Sequence, residues 1–127
     1  MLLNDFFKIL SLKNITESEL TADIKLNPGH KIYKGHFPGN PIVPGVVSVQ
    51  IINEVLSEKL RIKLMTSKAK SIKFTSMINP NINPNLSLNI KYSETKEEDF
   101  KVIAQINFKE TIFLKFNGTF SAEKSNL

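Results

Sequence analysis

The segment HFPGNPIVPGVVSVQIINEVLSEKL, His36 to Leu60, decides the fold, because three prolines at every third position run without a break into the one long helical pattern of the chain. Pro38, Pro41 and Pro44 each hold φ near about −65° and restrict the residue before them, so the loop is stiff by construction. Gly35, Gly39 and Gly45 allow close backbone approach. Beyond Pro44 and Gly45, the residues Val46, Val49, Ile52, Leu56 and Leu60 recur at helical spacing, with Gln50, Glu54, Ser57, Glu58 and Arg61 on the opposite side. The apolar residues are heavily β-branched, which weakly opposes helix formation, so burial has to hold this helix.

Outward from this segment, periodicity supplies the other elements. Leu2 to Leu10, apolar at 2, 3, 6, 7, 9 and 10, has the spacing of a short amphipathic helix. Leu20 to Leu26 alternates as a half-buried strand and closes on the turn signal Asn27-Pro28-Gly29. Four strand-like runs follow the helix: Ser67 to Met77, Leu86 to Tyr92, Phe100 to Phe108 and Ile112 to Phe120. Polar breaks between them predict a four-strand antiparallel meander. A sheet wrapped around the long helix buries both apolar stripes at once, which makes the chain α+β, a single domain over residues 1–127. A strand left open at the sheet edge favours pairing with a second subunit.

Composition bounds what this domain does. A chain of 127 residues, 41% hydrophobic, buries one ordinary core. No apolar run is long enough for a membrane span, and MLLNDFFKIL reaches Asp5 before a signal-peptide hydrophobic region forms, so a soluble, cytoplasmic protein is expected. There is no cysteine, which excludes disulfides, thiolate zinc sites and cysteine nucleophiles. The formal charge is +5, densest at Lys59, Arg61, Lys63, Lys68, Lys70 and Lys73. Such a patch attracts an anionic partner, but it lacks the interleaved aromatics of a nucleic-acid surface. An acidic protein or a phosphate-bearing ligand fits it equally well, as does a solvated basic face.

The proline loop carries the chemistry. Gly45 opens the long helix, where unpaired N–H groups and the positive end of the helix dipole stabilise a polarised carbonyl oxygen. His36 ordinarily titrates close to neutrality and so takes or gives a proton. Together they are the parts of a site that abstracts a proton next to a carbonyl. His30, after Pro28-Gly29, has no such context and is read as an exposed turn residue. Tyr33 and Phe37 fit either loop packing or a ligand tunnel.

At these residues the sequence resembles the 3-hydroxyacyl-[acyl-carrier-protein] dehydratases of hotdog fold: HFPGNPIVPGVV, His36 to Val47, looks like their signature loop. The resemblance is sharp over about Lys34 to Val55, while the order of elements elsewhere agrees with a hotdog. It implies a homodimer or a higher oligomer of dimers, with sites at the subunit interface and an acyl chain beside the central helix. The acyl chain would be delivered on phosphopantetheine by an acidic acyl carrier protein. It implies no metal or redox cofactor, and the composition above leads to the expectation of no nucleic-acid partner and no membrane span.

Carried over by position, His36 is the base for the α-proton, and the Gly45 N–H is the oxyanion donor to the thioester carbonyl. Phe37, Pro38, Gly39, Pro44, Val46 and Glu54 are the substrate-binding positions. The family's carboxylic acid, fourteen residues after the histidine, is replaced by Gln50, which cannot deliver a proton as an acid does. General-acid assistance is worth about 10²–10⁴ in rate, so three readings stay open. His36 returns the proton to the hydroxyl while Gln50 orients it; or Glu54, one turn on, is the displaced acid, since a glutamine is common in the family at that position; or the chain binds without catalysis, with an active paralogous dehydratase subunit as its partner. A hotdog thioesterase is the enzymatic alternative, and a solvated polar stripe is the bland reading of Gln50 and Glu54.

Overall fold

The computed structural model describes residues 1–35 and 39–123. Six strands, β1 (Phe7–Thr16), β2 (Glu19–Leu26), β3 (Leu64–Phe74), β4 (Asn85–Glu94), β5 (Asp99–Phe108) and β6 (Thr111–Ala122), surround one helix, α1 (Gly45–Leu60). The strands form a single antiparallel sheet in the order β1-β2-β4-β5-β6-β3.

Alternation in the sequence builds the inner face directly. Leu20, Ile90, Ala104 and Phe116 are register partners across β2, β4, β5 and β6, and Ala22, Leu88, Ile106 and Leu114 form the next row. All eight are buried. The sheet curls around α1, whose buried set includes Val47, Val49, Ile51, Ile52, Val55 and Leu56 together with Ser48, Asn53 and Glu54. A helix enclosed in this way has no simple apolar stripe. Val46, assigned to the buried stripe by spacing, is 78% exposed in the first turn, and Val47 is buried in its place.

Three further expectations are corrected. Leu2 to Leu10 is not a helix: Leu2 to Phe6 turn back through hydrogen bonds of the Asp5 and Phe6 N–H groups to the Leu2 carbonyl, and β1 begins at Phe7. Pairing with β2 supplies the tertiary context that overrides the short helical spacing. The four-strand meander is a three-strand meander, β4-β5-β6, because β3 pairs with β6 on the sheet's far side. Apart from Leu64 and half-buried Thr66, β3 is exposed throughout, with Met65, Ile72 and Phe74 among the open apolar residues. This strand lacked a clear phase in the sequence because neither of its faces is covered within one chain.

His30 is the third correction. Its side chain is only 9% exposed. Nδ1 accepts the Ile32 N–H at 3.1 Å, capping the short 3-10 turn Lys31–Lys34, so Nε2 carries the proton that faces the Asp5 carboxylate at 3.0 Å. The ring also meets the edge of Phe6. This histidine ties the N-terminal turn to the loop that follows β2.

Candidate active site

Two separate recesses flank α1, and they divide the residues singled out in the sequence. The first, about 460 Å³, opens at the helix N-terminus and is lined by Val43, Gly45, Ser48, Phe74, Met77 and Phe113 among others. Pro44 is the N-cap, in extended conformation and without a capping side chain, and its carbonyl already accepts the Val47 and Ser48 N–H groups. The Gly45 N–H meets no acceptor among the described residues. The orphan donor and the helix dipole therefore face a mostly apolar space, the arrangement that stabilises a polarised carbonyl.

Gly45 is also a steric requirement. A Cβ there would stand 2.6 Å from Cζ of Phe74, whose ring lies across the helix start from the end of β3. Nothing in the sequence pointed to Phe74. Its contact with Gly45 depends on β3 crossing to the far side of β6, which periodicity does not reveal. Gly39 is exposed and left-handed, φ 84°, so it holds a backbone shape that other residues rarely adopt. His36, Phe37 and Pro38 lie outside the described residues.

The second recess, about 680 Å³, runs along the other side of α1 between the N-terminal segment and the start of β3. Gln50, Asn53, Glu54, Ser57, Met1, Leu3 and Thr66 contribute to it. Gln50 is exposed within the single chain, whereas Glu54 is 6% exposed. The structure brings the two together: Gln50 Nε2 donates to Glu54 Oε2 at 2.9 Å. The remaining carboxylate positions accept the backbone N–H groups of Leu2, at 2.8 and 3.0 Å to the two oxygens, and of Leu3, at 2.8 Å. Glu54 is thus neither solvated nor free. It was singled out in the sequence, but its partners, more than fifty residues away, were not.

Tyr33 is buried beside Phe6, ring centroids 5.4 Å apart, and its hydroxyl has no hydrogen-bond partner among the described residues. Burial raises its pKa above the ordinary phenol value. It packs the loop on the core side.

This framework is the hotdog fold, and a family model of ApeI-like dehydratases matches residues 12–114. The chain belongs to that family. A comparison with curated proteins finds no match. Among solved structures, the dehydratase heterocomplex ApeI:P from Xenorhabdus doucetiae superposes with a TM-score of 0.70 at 18% identity, covering 89% of this chain and 96% of that one. An uncharacterized protein from Erwinia carotovora subsp. atroseptica follows at 0.63 and 19%, covering 91% and 94%. A thioesterase from Haemophilus influenzae shares the fold at 0.60 and 10%, covering 92% of this chain and 78% of that one.

Proposed function

We propose that the protein eliminates water from 3-hydroxyacyl thioesters carried on the phosphopantetheine of an acyl carrier protein, in fatty acid or related polyene or polyketide-type biosynthesis. The observation that carries this reading is the Gly45 N–H, without an acceptor among the described residues, at the mouth of an apolar recess and at the end of the HFPGNPIVPG loop, in a chain of a dehydratase family. His36 removes the α-proton, Gly45 steadies the thioester carbonyl, and the imidazolium returns the proton to the departing hydroxyl, which leaves as water. The chemistry balances without metal or redox cofactor. Glu54 offers no free oxygen to the leaving group here, because both are already held by N–H donors.

The site is completed by a second subunit. Gly45 and Gln50 are five residues apart on α1, about 140° around the helix axis, and they open into different recesses. A second copy pairing along β3 would cover Met65, Ile72 and Phe74 and bring one chain's Gln50 towards the other's Gly45. A paralogous dehydratase subunit in that position is the second reading, favoured by the heterocomplex formed by the similar ApeI. Cytoplasmic location follows from the carrier-bound substrate.

Incubation with a 3-hydroxyacyl carrier protein, followed by mass spectrometry of the acyl group, separates the alternatives. Loss of one water is expected, and it is abolished or strongly reduced by His36→Ala. Release of free acid instead identifies a thioesterase, and an unchanged substrate, even with a paralogous subunit added, identifies a binding protein. Full activity of His36→Ala overturns the site.

A further inference from the structure

The Gln50–Glu54 pair carries information about how the leaving hydroxyl is held. A carboxylate only accepts hydrogen bonds, so the end of the Gln50 amide that faces Glu54 has to be its NH₂ group. The opposite end, Oε1, meets no donor among the described residues and belongs to the side chain that opens into the recess. Glu54 itself cannot turn, because the Leu2 and Leu3 N–H groups fix both of its oxygens. The orientation of an exposed amide is thereby set by a buried anchor.

We propose that Glu54 is a positioning residue that holds Gln50 with its carbonyl oxygen towards the substrate, so that the site accepts a hydrogen bond from the 3-hydroxyl. This rests on the dehydratase reading above and adds to it a preference for ligands with a donor at C3. An accepting oxygen binds and aligns the hydroxyl but gives it no proton. The proton that converts the hydroxyl to water is therefore the one the base took from C2: the C2–H pair forms the new double bond, the C3–O pair leaves with oxygen, and the base returns its proton to that oxygen. The N-terminal segment belongs to the same device, since its backbone supplies the donors that lock the carboxylate.

Two pantetheine thioesters of equal chain length test this, one with a 3-hydroxyl, which donates, and one with a 3-oxo group, which only accepts. Calorimetry on the full chain, as the assembly it forms, should show the 3-hydroxy compound bound about tenfold more tightly. Glu54→Gln frees the Gln50 amide to turn and should bring the ratio close to one chiefly by improving the 3-oxo ligand, an effect that mere loosening of the fold does not produce. Gln50→Ala should also erase the ratio, by weakening the 3-hydroxy ligand instead. Binding of both ligands with a ratio indifferent to Glu54 overturns the proposal and leaves the dehydratase reading intact. Binding of neither overturns that reading and the proposal's substrate with it. Should Glu54→Gln not fold, the side-chain amide protons of Gln50 in the ¹⁵N-labelled wild-type protein decide. One proton shifted and protected by the carboxylate is expected, and two amide protons at the shifts and exchange rates of a solvent-exposed glutamine overturn the proposal.

Discussion

Replacing Gly118 by alanine tests the sheet that places both recesses. Gly118 is buried on β6 between Ala69 of β3 and Val102 of β5, under the ring of Phe116, which in turn lies 5.5 Å from the ring of Phe120. A Cβ at this position would overlap the Lys68 carbonyl oxygen and stand 2.6 Å from Phe116 Cζ. The first obstacle is backbone of the neighbouring strand, so relief requires β3 to move off β6. Overpacking of this kind costs about 2–3 kcal/mol. For a domain of this size each kcal/mol is worth roughly 3–5 °C, so the melting temperature should fall by about 6–15 °C. Gly45→Ala provides the contrast. Its clash, also at 2.6 Å, is with the ring of Phe74, a side chain 56% exposed within the single chain and able to give way more cheaply than backbone does. Losing a part-buried ring contact costs less than about 1 kcal/mol. That loss should vanish in a Phe74→Ala background, where the two substitutions no longer meet. Thermal and urea unfolding at one fixed protein concentration reads both effects, since association along β3 would otherwise shift the midpoints. A Gly118→Ala protein melting within about 2 °C of wild type would refute the close approach of β3 to β6, and with it the placement of Phe74 over Gly45.

Tyr33→Phe should stabilise the protein by about 1 kcal/mol, because it removes a buried hydroxyl that has no partner among the described residues. An equal or lower midpoint would mean that the hydroxyl is paired in solution. Burial holds the folded-state pKa of Tyr33 above its unfolded value near about 10, so the unfolded state loses that proton first. Wild-type stability should therefore fall as pH rises above about 10, and Tyr33→Phe should flatten this fall in denaturant titrations. Gln50→Glu sets a second carboxyl group at the 2.9 Å contact with Glu54, where repulsion between two negative charges favours the protonated form of the new acid. Dehydration should rise by up to about 10²-fold at the acid side of the pH profile and lose that gain as pH increases. A rate that rises with pH, or never changes, would count against Gln50 as a residue of the leaving-group site.

The chain pattern revealed the elements better than their neighbours. Alternation at Leu20 to Leu26, Leu86 to Tyr92, Phe100 to Phe108 and Ile112 to Phe120 marks four strands because each has one covered face. β3 is exposed on both faces beyond its first residues, so its apolar positions report nothing about phase, and its place beside β6 depends on pairing that has no local signal. The first ten residues mislead for a related reason. Phe6 and Phe7 are both fully buried at a turn into a strand, and adjacent buried residues imitate the doublets of an amphipathic helix.

The site was legible in its residue types and illegible in its connections. Gln50 and Glu54 were visible as a polar pair one turn apart, and on an ordinary helix such a pair is solvated. Enclosure by the sheet changes what the second of them has to do, since a buried carboxylate is tolerable only with donors around it. Those donors are backbone N–H groups of Leu2 and Leu3, and any residue but proline would offer them equally well, so no reading of side chains could have found them. The consequence runs back to Gln50. The sequence showed there an amide that cannot deliver a proton as an acid does, and beside a locked carboxylate only one orientation of that amide satisfies both groups. The orientation of the Gln50 amide is therefore set through Glu54 by an N-terminal segment far away in sequence.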